Sequence, residues 1–119
     1  MTEDLAGRYA VTLDLDGVTD KAALMDRVAR ALDLPDWFGR NWDALADSLA
    51  DHGVWPAGAV ARGLLVVVRN WRPYAETDPG GWRTALDVFA EAADRTPRLT
   101  VVLALGGSSQ ETAPGLDVL

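Results

Sequence analysis

The run "LLVVV", Leu64 to Val68, is apolar at five consecutive positions. Successive side chains of a strand point to opposite faces of its sheet, so an unbroken apolar run implies a strand covered on both sides. Downstream, "LTVVLAL" at 99–105 is nearly as continuous and gives a second buried strand. Upstream, Tyr9, Val11, Leu13 and Leu15 alternate with Ala10, Thr12 and Asp14, the period-two pattern of a strand with one buried face, which suits an edge. Helical spacing fills the gaps between strands. In "TDKAALMDRVARAL" Leu24, Val28 and Leu32 share a face behind Thr19 or Asp20 as N-cap, and "NWDALADSLADHG" opens on Asn41 and stops at Gly53. In "DPGGWRTALDVFAEAADR" Asp78 and Pro79 are start signals, and Trp82, Leu86, Phe89 and Ala93 lie on one face. The expected fold is α/β, a three-stranded parallel sheet packed with helices in the order βααβαβ. "AETDPGG" at 75–81 is expected as a surface loop, and residues 1–8 and 106–119 as flexible tails around a domain spanning 9–105.

At 119 residues the chain has room for one core. Eighteen acidic against eleven basic residues give a formal net charge of −7, which opposes direct binding to nucleic acid or to an anionic membrane and favours a cationic partner. The absence of cysteine excludes disulfides, thiolate metal sites and a thiol nucleophile. No apolar run approaches the ~20 residues of a membrane span, and the acidic start of the chain has none at all, so the expectation is a soluble cytoplasmic protein.

Asp14-Leu15-Asp16-Gly17 resembles the paired aspartates at the end of the first strand of haloacid dehalogenase-type phosphohydrolases. Such enzymes also need a lysine from a later element and further metal-binding carboxylates. Lys21 is the sole lysine, and "GGSSQ" after the last strand brings no acid before Glu111. Bare carboxylates do not stabilise a transferring phosphoryl group. An outward strand position followed by turn chemistry accounts for these residues, and no catalytic role is expected.

The segment "LPDWFGRNWDALADSLADHG", 34–53, carries more unusual chemistry. At ~100° per residue Ala44, Leu45, Ser48 and Leu49 form a core face, while Asp43 and Asp47 share a stripe with Ala46 and Ala50. Trp42 falls on the border. Like charges four apart repel, and Asp47 and Asp51 approach the helix C-terminus, where negative charge is disfavoured. No basic residue lies four positions from Asp47 on that helix. Small residues beside the acids would let a partner come close.

Residues 34–49, "LPDWFGRNWDALADSL", resemble the signature of the barstar family, intracellular protein inhibitors of guanyl-specific microbial ribonucleases. The resemblance rests on the leucine-proline entry, an aromatic pair before Gly39, Asn41, and Asp-Ala-Leu followed by a second aspartate and a leucine. It continues more weakly through "RGLLVVVRNW", "ALDVFAEAAD" and the last strand, and implies the same βααβαβ barstar-like fold. It implies that Asp47 meets phosphate-binding arginines and a histidine of the nuclease, and that Asp43 reaches the guanine-recognition region. Trp37 stands where an aromatic packs on the catalytic histidine, Asn41 opens the helix, and Glu91 pairs with a peripheral basic residue. The full expected partner-binding set is Asp47, Asp43, Trp37, Asn41, Trp42, Glu91, Gly39, Ala46, Asp51 and His52, with no cofactor and no metal. The sequence departs from the family pattern at Trp42 for leucine, Ala46 for tryptophan and His52 for a loop tryptophan, which leaves the choice of nuclease open.

Two other readings stay open at this level. Asp43, Asp47, Asp51 and His52 could share a hard cation, although no glycine-bearing ligand loop accompanies them. The same fold could instead dock on a different basic partner or toxin, since a fold does not dictate its partner.

Overall fold

The computed structural model describes residues 7–35, 38–104 and 117–118. Trp37, the "GGSSQ" stretch and most of the two expected tails lie outside the described residues. Strands β1 (Tyr9–Asp14), β2 (Leu64–Arg69) and β3 (Leu99–Leu103) lie side by side in that order, all parallel. The register sets Val11, Val66 and Val101 in one row and Leu13, Val68 and Leu103 in the next. All six are buried and form one wall of the core. On the opposite face β1 presents Ala10 and Thr12 to solvent, whereas Leu65 and Val102 are buried. The alternation of β1 and the continuous run of β2 thus follow from an edge and a central position in one sheet. A two-residue parallel strand, β4 (Asp117–Val118), adds to the sheet beside β3, within the stretch expected as a tail.

Helix α1 (Lys21–Ala31) is capped by Asp20, whose carboxylate accepts the Ala23 N–H at 2.8 Å, and it buries Leu24, Met25 and Val28. Helices α2 (Trp42–Ala50) and α5 (Pro79–Arg95) pack on each other, and α5 also packs on β3. The buried face of α5 comprises Trp82, Ala85, Val88, Phe89 and Ala92. Leu86 and Ala93, expected on that face, are half-buried at its border. The face is rotated towards Ala85 and Ala92, whose methyl side chains let the helix approach its neighbours closely. Among the described residues no helix is long and apolar enough to cross a membrane.

Two short helices were not legible from periodicity, α3 (Ala59–Arg62) and α4 (Arg72–Thr77). The expected loop at 75–81 is therefore helical except at Asp78: Ala75 to Thr77 end α4, Pro79 to Gly81 open α5, and Asp78 between them caps α5 with its carboxylate accepting the Gly81 N–H at 3.1 Å. Tyr74 explains the difference. It is fully buried, its hydroxyl donates to Asp78 Oδ2 at 3.2 Å, and its ring meets Trp82 edge-on at 6.2 Å. Trp71 stacks on Trp82 at 5.3 Å and donates Nε1–H to the Ala104 carbonyl at 3.1 Å. An aromatic cluster thus fixes a corner that its Pro, Gly and Thr content marks as a turn.

The Asp14-Leu15-Asp16-Gly17 stretch ties the ends of two strands together. The Asp14 carboxylate accepts Asn70 Nδ2–H at 2.8 Å and the Asp16 N–H at 3.0 Å, while Arg27 donates to the Asp14 carbonyl at 2.8 Å. The Asn70 hydrogen bond, then the Asp16 amide, hold the Asp14 carboxyl below its usual range. Gly17 takes the turn at φ +81°.

Burial, then the adjacent Asp78 charge, push the Tyr74 phenol from 10.0 up to about 12. A pKa raised in the folded state gives stability that is complete below pH 10 and lost as pH rises towards 12. In Tyr74→Phe the urea midpoint is expected to fall less over that interval than in the unsubstituted protein, as measured by urea unfolding at stepped pH.

Candidate partner-binding surface

The segment leading into α2 is held from both sides. Phe38 is buried in the core, and its N–H donates to the Pro35 carbonyl at 3.0 Å. Arg40 then takes a left-handed conformation at φ +55° and forms an ion pair with Asp26 of α1. Asn41 is extended, at φ −136° and ψ 172°, as an N-cap requires. Its Oδ1 accepts the Ala44 N–H at 2.8 Å, and its Nδ2 donates to the Gly39 carbonyl at 3.3 Å. A Cβ on Gly39 would lie 3.2 Å from that Nδ2 and 3.4 Å from the Ala44 Cβ, so the absence of a side chain lets the segment close onto the cap.

Within α2 the periodicity holds: Leu45, Ser48 and Leu49 are buried, and Asp43 and Asp47 are exposed beside half-buried Ala46 and Ala50. Trp42 is half-buried against the core with the Lys21 ammonium 5.8 Å from its ring centroid, so it serves the fold while keeping an exposed edge. Asp43 stands in the first turn, where the helix dipole favours a carboxylate. Asp47 has no such compensation on its own helix.

The cation that sequence spacing could not find comes from α5. Arg95 Nη2–H donates to the carbonyl of Ala46 at 3.4 Å, next to Asp47 in the chain. The methyl side chains of Ala46 and Ala50 leave that carbonyl reachable from the side. One turn before Arg95 on the same helix, Glu91 is exposed, so the structure places Glu91 and α2 on neighbouring elements. Among the described residues Asp26 pairs with Arg40, and no basic side chain is in salt-bridge contact with Asp43, Asp47 or Glu91.

Beyond α2 the chain turns sharply. Asp51 Oδ1 accepts the Gly53 N–H at 2.8 Å and caps a single 3-10 turn, His52–Val54. Trp55 is buried with Nε1–H donating to the Leu49 carbonyl at 3.0 Å, and the exposed His52 ring lies 4.4 Å from it. Asp51 and His52 therefore sit at the far end of the acidic stripe, in local turn contacts. No group of three or more His, Asp or Glu side chains is brought together in a metal-binding arrangement among the described residues.

The sequence model of the Barstar (barnase inhibitor) family matches residues 8–105. The chain belongs to the barstar family. No curated protein matches it individually. The match covers β1 to β3 and α1 to α5, and the parallel sheet in an order that is βααβαβ apart from the short α3 and α4 is the barstar-like fold that the signature at 34–49 implies. The family is one of inhibitors rather than enzymes, and the contacts of Asp14 with Asn70 and Asp16 give that residue a structural role within it.

Replacing the N-cap, Asn41→Ala, is expected to lower stability by about 1 kcal/mol, whereas Asn41→Asp keeps an acceptor and loses little. Equilibrium urea unfolding of the two variants checks this.

Proposed function

We propose that this protein inhibits a guanyl-specific microbial ribonuclease of the barnase type by laying α2 over its cationic active site. The observation that supports this reading is the outward pair Asp43 and Asp47, four residues apart on a helix whose opposite face is locked in the core. Fixed carboxylates at that spacing stand in for RNA phosphates, and charge-assisted hydrogen bonds to arginine are the strong kind. Asp47 is the principal contact and Asp43 the second, with Trp37 and Trp42 excluding water beside them and Glu91 at the rim. Gly39 and Asn41 set the angle of the helix, Ala46 keeps its surface low, and Asp51 and His52 bound the contact.

The acidic balance of the chain adds to attraction at long range. Complementary fields speed encounter and suppress wrong partners, the barnase–barstar pair being the usual illustration. The protein so read is a cytoplasmic inhibitor that catalyses nothing and needs no cofactor.

Inhibition of RNA cleavage by barnase and related guanyl-specific ribonucleases, measured with the unsubstituted protein and with Asp47→Ala, tests the proposal. Asp47→Ala is expected to weaken inhibition by roughly two orders of magnitude, because its removal strands desolvated cations in the nuclease. Equal inhibition by both proteins would refute the assignment of Asp47. Binding without loss of cleavage would assign the surface to a different basic partner.

A further inference from the structure

In the acidic surface formed by α2 and the end of α5, one cation leans on α2. Arg95 is exposed, and its guanidinium donates to the Ala46 carbonyl at 3.4 Å, which sets it against the recognition helix between the positions of Asp43 and Asp47 in the chain. No carboxylate forms an ion pair with it among the described residues. Glu91, four residues earlier on α5, is not in salt-bridge contact with it either. Its charge is therefore presented outward rather than neutralised within the fold.

The contact depends on what α2 lacks. Ala46 and Ala50, small residues beside the Ala46 carbonyl, leave room for the guanidinium to approach it. The small stripe beside the acids is thus partly occupied by the chain's own arginine. The hydrogen bond is long, so it biases the exposed Arg95 side chain towards α2 rather than locking it there.

Against a wholly cationic site an arginine leaning on α2 would oppose docking even as it eases the repulsion among the acids of the free protein, since juxtaposed like charges cost several kcal/mol in an interface. We infer that Arg95 is a specificity-determining residue that selects partners carrying a carboxylate at the edge of their basic site, opposite the α2–α5 junction. The three acids Asp43, Asp47 and Glu91 would then meet cations while Arg95 meets an acid, a mixed pattern that rejects nucleases with an unbroken basic rim. This rests on the ribonuclease-inhibitor reading above.

The experiment compares inhibition constants of the unsubstituted protein, Arg95→Ala and Arg95→Glu against a panel of guanyl-specific ribonucleases including barnase, with thermal unfolding of each variant as a control for folding. For the enzyme inhibited most tightly, Arg95→Ala is expected to lose several-fold and Arg95→Glu at least tenfold in affinity at unchanged melting temperature. An acid-to-lysine change at the facing edge of that nuclease should restore binding to Arg95→Glu selectively. Affinity that stays level or improves in Arg95→Glu would overturn the inference while leaving the inhibitor reading intact. Failure of the unsubstituted protein to inhibit any member would remove that reading and the inference with it.

Discussion

The burial of Leu45 and Leu49, on a helix that packs on α5, is the constraint on which the rest of the surface depends. A helix has ~3.6 residues per turn, so once those two leucines are buried the directions of residues 43, 46, 47 and 50 follow. Asp43 and Asp47 face outward because the core takes the other side, and Asn41 fixes where the helix begins. The acids therefore sit on a rigid element whose orientation is set by hydrophobic burial. In the proposed inhibitor role, carboxylates carried on such an element lose less conformational freedom on docking than loop-borne ones would, which favours affinity.

The same arrangement leaves an electrostatic imbalance. Asp43, Asp47 and Asp51 follow one another at four-residue intervals, and only the first is favoured by the helix dipole. Exposure to water limits the repulsion, and Arg95, arriving from a different helix, adds a positive charge near the middle of the row. The imbalance that remains is directed outward. It is tolerable because the buried side of the molecule is apolar: most of the large side chains in the core carry no polar group, and no buried side-chain nitrogen or oxygen lacks a hydrogen-bond partner among the described residues.

Much of this was legible in the sequence because it follows local periodicity. The two-residue alternation of β1, the unbroken run of β2 and the leucines of α2 each reflect one neighbour relation, and all three reappear in the structure as read. The caps at Asp20, Asn41 and Asp78 were likewise visible, since each side chain acts on an amide three residues away. What the sequence concealed was non-local. Helix α4 exists because Tyr74 and Trp71 find Trp82, and Arg95 reaches Ala46 from 49 residues along the chain. Trp42 was ambiguous for a physical reason, as it occupies the border between core and solvent under Lys21. The match to the Barstar family extends the local signature at 34–49 to nearly the whole domain.

The most direct test of the central claim is amide hydrogen exchange on this protein alone and with an equimolar guanyl-specific ribonuclease such as barnase. If α2 covers the nuclease site, added protection is confined to residues 38–51 and the last turns of α5, around Glu91 and Arg95, and is weakened by salt. Protection centred instead on α4 or on the exposed face of β1, or no added protection with any ribonuclease of the class, would contradict it.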